Sequence, residues 1–304
     1  MSSIPTRPFG KTGVHVSIIC VGGGHIGRKE VDADLAVRIL EAAVDQGITF
    51  FDNAWEYNDG ESEKRMGRAL RGKRDKVFLM TKVCSRDRRG AERELEESLR
   101  RLQTDHVDLW QFHEVNYAND PEWIFAPGGA AEAAHAALKS GKARFIGCTG
   151  HKEPGYLLEM LRQDFPWAAV QLPVNVLDAS FRSFQKQVLP ELERRGIAAL
   201  GMKSLGGDGQ FVTRAGLSVE ECRRYALSQP ITSLVTGIMS MEQLEQDVRI
   251  ARNFRPMSAE EQAEFVRRTR EIAGDGRHEW FKTTPYFDSK FHRDQHGFPE
   301  ALVR

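Results

Sequence analysis

Val77-Phe-Leu-Met-Thr-Lys82 is followed by Leu95, Leu99 and Leu102, and then by His106-Val-Asp-Leu-Trp-Gln-Phe-His113. The two outer runs are short and largely apolar, and each closes on a basic side chain. Such runs read as strands buried on both faces, and leucines three or four apart mark one face of a helix. A strand, a helix and a second strand form the crossover unit of a parallel sheet.

The same alternation continues in both directions. Toward the N-terminus, Val16-Ser-Ile-Ile-Cys-Val-Gly22 and Thr49-Phe-Phe-Asp52 predict strands. The stretch 34–46 between them pairs apolar residues at Leu35/Ala36, Ile39/Leu40 and Ala43/Val44, which is helical spacing, and Gly47 stands at its C-terminal cap. Glu61 to Arg71 predicts a further helix. Toward the C-terminus, Ala143 to Cys148, Ala168 to Val174, Ile197 to Met202 and Ile231 to Thr236 predict strands. Helices are expected at 131–139, 155–163, from Phe184 to Gly196, at 219–227 and at 241–253. Eight strand–helix units of about thirty residues each predict an α/β fold of the (β/α)8 TIM barrel type. Pro8-Phe-Gly-Lys-Thr-Gly13 predicts an N-terminal hairpin turn closing the barrel floor. The rival fold is a doubly wound sheet. Gly22-Gly-Gly-His-Ile-Gly27 has the glycine spacing of a dinucleotide fingerprint, but no helix is expected to open directly after it. Residues 1–304 are therefore read as a single barrel domain, with 256–304 as a C-terminal helix (259–272) and a tail carrying Trp280, Phe281, Tyr286 and Phe287.

Composition narrows the function. The 304 residues are 40% hydrophobic and 28% charged, which suits a globular core and not a disordered chain. Basic and acidic residues both number 43, so no net field exists to hold nucleic acid or an acidic membrane. No apolar run approaches the ~18 residues of a spanning helix, and no signal peptide is expected from the first residues, which lack a basic segment followed by an apolar one. Cys20, Cys84, Cys148 and Cys222 are scattered without a CxxC pair, the pattern of buried thiols in a reducing compartment. A cytoplasmic protein with no metal, nucleic-acid or membrane partner is expected; the oligomeric state is left open.

In a barrel of this kind chemistry sits at the C-terminal ends of the strands. Asp52, Lys82 and His113 end strands two, three and four, and Tyr57 follows Asp52 by five residues. A phenol has a pKa near ~10, too high for an efficient donor at neutral pH. A neighbouring ammonium would lower it, and a carboxylate would keep that ammonium charged. A histidine beside the phenol would orient a carbonyl oxygen. The set suits protonation of a carbonyl oxygen as hydride reaches its carbon, and hydride implies a nicotinamide cofactor.

At these residues the chain resembles the aldo-keto reductase superfamily. The matching stretches are Phe51-Asp-Asn-Ala-Trp-Glu-Tyr-Asn-Asp-Gly-Glu-Ser-Glu63, Met80-Thr-Lys82, Val107-Asp-Leu-Trp-Gln-Phe-His113 and Gly141-Lys-Ala-Arg-Phe-Ile-Gly147, within a likeness running from about residue 8 to about 255. The resemblance implies NAD(P)H-dependent reduction of an aldehyde or ketone without metal. It assigns Tyr57 as general acid, Lys82 as its pKa depressor, Asp52 as the partner of Lys82 and His113 as the orienting group.

The resemblance also implies a cofactor site. Gln171 matches the residue that holds the nicotinamide carboxamide. Where the family commonly has Ser-Asn after strand five, this chain has Thr149-Gly150, with His151 a substitute for the missing amide. Met202-Lys-Ser-Leu205 matches the loop along the pyrophosphate, and Gly24 adjoins it. Gly237-Ile-Met-Ser-Met-Glu-Gln-Leu-Glu-Gln-Asp247 matches the segment around the adenosine end, where Gln243 fits. Met239 and Ser240 replace a usual basic residue, and Asp247 a usual Asn, with Arg249 or Arg252 as compensation. NADP is expected, with NAD nearly equivalent. His25 and Trp55 are expected at the substrate, with Trp110 and the tail aromatics as further apolar walls. The loop 114–129, with Tyr117, Trp123 and Phe125, is long enough to form part of a lid, although Trp110 and Trp123 also suit plain packing at the rim.

Two other function classes fit parts of the pattern. His25, His113 and His151 at strand ends, with Asp52, suggest a metal-dependent TIM-barrel hydrolase. Against it, no His-x-His follows strand one and Gly237 ends strand eight. A nucleotide-binding sensor or subunit without turnover would have no need of Asp52, Tyr57, Lys82 and His113 together.

Overall fold

The computed structural model describes residues 3–283 and 290–297. Its strands are β1 (Thr6–Pro8), β2 (His15–Ser17), β3 (Ile19–Gly22), β4 (Phe50–Asp52), β5 (Phe78–Val83), β6 (Val107–Phe112), β7 (Ala143–Thr149), β8 (Trp167–Pro173), β9 (Ala198–Met202) and β10 (Ser233–Gly237). Strands β3 to β10 form a closed barrel in sequence order, each parallel to its neighbour, and β10 pairs back onto β3. The eight-fold reading of the sequence is thus met strand for strand. No helix among the described residues is long and apolar enough to cross a membrane.

The expected first strand is broken in two. Ser17 exchanges hydrogen bonds with Thr49: each backbone N–H donates to the other's hydroxyl, at 3.0 and 3.1 Å. The chain therefore leaves the β1–β2 ladder at Ser17 and enters the barrel at Ile19. The hairpin closes the floor as expected. Phe9, fully buried at its turn, packs 4.7 Å from the ring of Phe78, 5.9 Å from Phe50 and 6.3 Å from Phe145. Gly10 follows with φ +53, and a Cβ there would come within 2.6 Å of the Gly196 carbonyl oxygen, so only glycine fits beneath the barrel.

Side chains alternate between two cores, as the pleat requires. Phe50, Phe78, Met80, Leu109 and Leu200 fill the inside with Phe9. Leu79, Trp110, Phe112 and Ile146 face outward into the jacket of helices. Trp110 is thereby walled off behind β6, 1% exposed, and is no part of a substrate pocket. The flanking helices begin where side chains satisfy their first N–H groups: the Asp32 carboxylate accepts from Asp34 and Leu35 ahead of Ala33–Asp45, and Asp87 accepts from Gly90 ahead of Arg88–Leu102.

Three segments differ from the sequence reading. A single helical turn, Gly23–Ile26, does open directly after β3. The Ser62 hydroxyl donates to the Gly23 carbonyl at 2.7 Å and the Asn58 amide to that of Gly24 at 3.2 Å, which curls the glycine run over. The loop after β6 contains a short helix, Asp120–Phe125, with Pro121 in its first turn. The tail forms Ala259–Ala273, Trp280–Thr283 and Lys290–His296. It is pinned by Lys282, whose buried ammonium donates to Asp178 at 2.6 Å, Glu279 at 3.0 Å and the Phe181 carbonyl at 2.9 Å. Tyr286 and Phe287 lie outside the described residues.

Candidate active site

Past the end of β4, the backbone keeps pairing with β5. The Asn53 N–H donates to the Met80 carbonyl and that of Trp55 to the Lys82 carbonyl, at 2.9 and 3.1 Å. This prolonged pairing carries the chain over Lys82 before it turns at Tyr57–Gly60, where Asn58 and Asp59 are left-handed. Tyr57 is thus folded back onto the strand end that carries the lysine. The Lys82 ammonium donates to Asp52 Oδ1 at 2.5 Å, to the Asn53 carbonyl at 2.7 Å and to Tyr57 Oη at 3.2 Å. These three acceptors match its three donors. Burial raises the Asp52 carboxyl, and Lys82 offsets only part of that rise.

The electrostatics differ from expectation at Tyr57. Its hydroxyl is pushed well above the usual tyrosine range, first by desolvation and then by Asp52, Glu56, Glu114 and Cys84. Lys82 lies within reach but is compensated by Asp52. Glu56 and Glu114 add further negative charge, so the phenol is held protonated instead of being acidified.

His113 stands beside the phenol, ring centroids 5.5 Å apart and nearly perpendicular. Its Nδ1 lies 3.1 Å from Glu56 Oε1 and 3.9 Å from Cys84 Sγ. Burial lowers the imidazole from the ordinary 6.5 to about 4; Glu56 pulls upward and Lys82 adds to the lowering. The ring is therefore neutral at physiological pH. Glu114 follows with φ +50, a strained conformation for a side-chain-bearing residue, and burial followed by Glu56 raises its carboxyl well above the carboxylate range.

Arg86 holds this corner from behind. Fully enclosed, it donates to the carbonyls of Cys84, His113 and Glu114 at 2.9, 2.6 and 3.1 Å and to Asp120 at 2.6 Å. Burial raises Asp120, but Arg86 and His296 outweigh it and leave the carboxyl at about 2. Glu56, Arg86, Glu114 and Asp120 were all missed by the sequence reading. The available signal was a carboxylate directly before Tyr57 and another directly after His113.

The expected cofactor residues fall into three groups. On the barrel axis, the Gln171 amide accepts from Gln111 at 3.0 Å and donates toward Asp52 at 3.5 Å, which ties it to the Asp52–Lys82 pair. The Thr149 hydroxyl accepts from the Glu114 N–H at 3.0 Å, and His151 Nε2 lies 3.0 Å from the Asn116 amide, turned toward the loop after β6. At the end of β9, Lys203 has φ +57 and its ammonium lies 5.0 Å above the Phe281 ring, beside half-buried Met202 and Leu205. Third, the Ser204 hydroxyl accepts from Arg223 at 2.7 Å, and Arg223 pairs with Asp247 at 3.2 Å. The Asp247 charge is thus neutralised internally and does not repel a phosphate. Ser240 caps the Met241–Arg252 helix, and Gln243 accepts from the Met239 N–H at 2.7 Å. Arg252 is turned away onto the Gln46 carbonyl, and Arg249 is exposed.

His25 is half-buried against Gly237, where a Cβ would come within 2.3 Å of the imidazole, and burial lowers its pKa to about 4. Gly24 flanks the Tyr57 ring. The Trp55 indole N–H is spent on Glu97 at 2.7 Å, so this side chain turns toward the Arg88–Leu102 helix. The donor set fits a dinucleotide: an amide at the barrel axis, an ammonium at the next strand end and the first turn of a twelve-residue helix for phosphate. Ligand-type atoms of Glu56, Cys84 and His113 lie within 4.8 Å of one another. Burial and the nearby Glu56 and Glu94 hold the Cys84 thiol protonated, and the trio is a hydrogen-bonding cluster. Among the described residues, His25, His113 and His151 do not converge on one point, contrary to the hydrolase alternative.

Comparison with known proteins gives a consistent result. The model of the aldo/keto reductase family matches residues 18–218. The chain is 32% identical over 209 residues to the aldo-keto reductase YhdN of Bacillus subtilis, covering 64% of this chain and 60% of that protein. It is 31% identical over 224 residues to the oxidoreductase YrpG of the same organism, covering 66% of each. These matches span less than two thirds of either relative. Among solved structures, the aldo-keto reductase AKR11C1 from Bacillus halodurans, in its holo form, superposes with a TM-score of 0.74, covering 92% of this chain and all of that one. At 22% identity this is a likeness of fold.

Proposed function

Because the chain belongs to the aldo/keto reductase family, we propose that it is an NAD(P)H-dependent oxidoreductase that reduces the carbonyl group of a small aldehyde or ketone, with Tyr57 as proton donor. The observation that carries the reading is the position of the Lys82 ammonium, 3.2 Å from Tyr57 Oη and 2.5 Å from Asp52. When bound, the cofactor supplies hydride to the carbonyl carbon. Tyr57 gives its proton to the carbonyl oxygen. The phenolate left behind faces Lys82, whose charge offsets the new anion, and it regains a proton from solvent. Asp52 keeps Lys82 charged and in place, and Gln171 links that pair to the nicotinamide end. Lys203, and the helix start at Ser240 with Gln243, would hold the phosphates. NADP remains the first choice and NAD the close second, since the Arg223 guanidinium in this segment is paired with Asp247.

The test is oxidation of NADPH and NADH by the purified chain against a panel of aldehydes and ketones. Cofactor-dependent turnover that Tyr57→Phe abolishes, with cofactor binding retained, is the expected result. Tight cofactor binding without turnover of any carbonyl compound would instead establish the sensor reading.

A further inference from the structure

Three neighbouring strand ends each bring one metal-ligating atom toward the same point. Cys84 directly follows β5 and His113 directly follows β6, and these strands stay paired in register up to Val83 and Phe112. Glu56 arrives on the chain prolonged beyond β4, one residue after the Trp55 N–H that donates to the Lys82 carbonyl at 3.1 Å. His113 Nδ1 lies 3.1 Å from Glu56 Oε1 and 3.9 Å from Cys84 Sγ, and the three ligand atoms fall within 4.8 Å of one another. Zinc bonds of about 2.3 Å to sulfur and about 2.0–2.2 Å to nitrogen and oxygen, at tetrahedral angles, set ligand atoms about 3.3–3.6 Å apart. The two spacings at His113 straddle that range. The backbone behind these ligands is fixed. The Cys84 N–H donates to Glu94 at 2.7 Å, the His113 N–H donates to the Val83 carbonyl at 2.8 Å, and the Cys84 and His113 carbonyls accept from Arg86 at 2.9 and 2.6 Å. Glu56 is half-buried, so its side chain makes the remaining adjustment and its side of the cluster is the entry path.

We propose that Glu56, Cys84 and His113 form an inhibitory site for a divalent transition-metal cation, zinc foremost. A thiolate, an imidazole and a carboxylate are donor types that zinc takes, and three residues leave a fourth position for water. On binding, the Cys84 thiol gives its proton to solvent. The neutral His113 imidazole binds through Nδ1 and keeps its one proton on Nε2, and Glu56 binds as a carboxylate. Two anionic ligands then offset the charge of the dication. The inhibitory role rests on the reductase reading, in which His113 orients the carbonyl oxygen and Tyr57 gives the proton. The proposed reduction calls for no metal, and occupation of this site opposes it. With zinc bound, the metal holds the His113 ring through Nδ1. A dication then stands beside the Tyr57–His113 ring pair, whose centroids are 5.5 Å apart, and its field strips the phenol of its proton before a carbonyl compound can take it.

Two readouts test this on the full chain. The first is titration with cobalt(II) salt, followed by absorption. A sulfur-to-cobalt charge-transfer band in the near ultraviolet is expected, discharged by added zinc and lost in Cys84→Ala. Absence of the band, or its survival in Cys84→Ala, overturns the proposal. The second is NADPH oxidation by a carbonyl substrate with and without zinc salt, each variant compared with itself in EDTA. Inhibition that EDTA reverses is expected, and its midpoint should rise by about tenfold or more in Cys84→Ala. Full turnover under saturating zinc, or an unchanged midpoint in Cys84→Ala, overturns it. Absence of turnover in EDTA counts against the reductase reading itself, and the cobalt spectrum then decides the metal site alone. Should Cys84→Ala not fold, Cys84→Ser also removes the sulfur and serves the same comparison.

Discussion

Lys82 reaches the Tyr57 hydroxyl at 3.2 Å but holds Asp52 more closely, at 2.5 Å. The cation is therefore shared, and the larger share goes to the carboxylate. With Glu56 and Glu114 adding negative charge, the phenol is pushed well above its usual range. The arrangement keeps a proton on Tyr57, and in the proposed reduction the anion left after transfer is the state that Lys82 would steady.

The sign of the pH dependence follows. Reduction needs the protonated phenol, so its rate should hold through neutral pH without a falling limb below about pH 10. Oxidation of an alcohol needs the phenolate, so that direction should keep climbing past about pH 10. Tyr57→Phe should cost about 10²- to 10⁴-fold in kcat. Steady-state profiles in both directions check this, and a reduction limb falling near neutral pH would contradict the raised phenol.

Acid should destabilise the fold through its histidines. His113 and His25 are lowered from 6.5 to about 4, mainly by burial. Between those values the unfolded chain binds protons that the folded chain refuses, so stability falls as pH drops from about 6.5 to about 4. Urea midpoints measured across that window should decline. His113→Gln should flatten part of the slope; an equally steep decline in that variant would remove His113 from the explanation.

Arg86 offers a stability test that also reaches the site. Removing it in Arg86→Met leaves the carbonyls of His113 and Glu114 without that donor and takes the guanidinium from the buried Asp120 carboxylate, which keeps the N–H groups of Asn116 and Tyr117 and the nearby His296. Loss of one partner of a buried ion pair costs about 3–5 kcal/mol. Thermal or urea unfolding should show a loss of that order, with part restored by Arg86→Lys. A loss under about 0.5 kcal/mol, the size of an ordinary surface change, would show that the enclosed guanidinium is dispensable.

The Arg223–Asp247 pair sets the expectation for cofactor choice. With Asp247 neutralised by Arg223, the KM values for NADPH and NADH should differ by less than about tenfold, a difference of about 1.4 kcal/mol. Asp247→Asn should release the guanidinium toward phosphate and shift the ratio toward NADPH by several-fold. A preference of about a thousandfold for either cofactor in the unmodified chain would show that this segment does not read the nucleotide as described.

Much of the fold was legible because it is written in periodicities. Alternating short apolar runs and helical leucine spacing marked all eight barrel strands, and the strand ends then pointed to Asp52, Lys82 and His113. The hairpin turn also read correctly, because glycine and proline punctuate locally. What stayed hidden depends on side-chain pairing across distance. Ser17 breaks the first strand only because Thr49 stands opposite. Lys282 and Asp178, 104 residues apart, form an ion pair no spacing rule announces. Glu56 and Glu114 have no periodic signature, and the influence of Lys82 on Tyr57 was misjudged because their charges were not in the account. Trp110 could have walled a pocket by residue type, but plain packing was the preferred reading, and its place in the strand alternation does turn it to the helices.

Phe9 and its aromatic neighbours make the barrel a cul-de-sac. Nothing drains through the base, so whatever arrives at Tyr57 departs by the doorway it came in. Under the proposed reductase reading, cofactor and carbonyl compound would share the strand-end face, and the sequence of arrivals and exits would be a property of the architecture as much as of the chemistry.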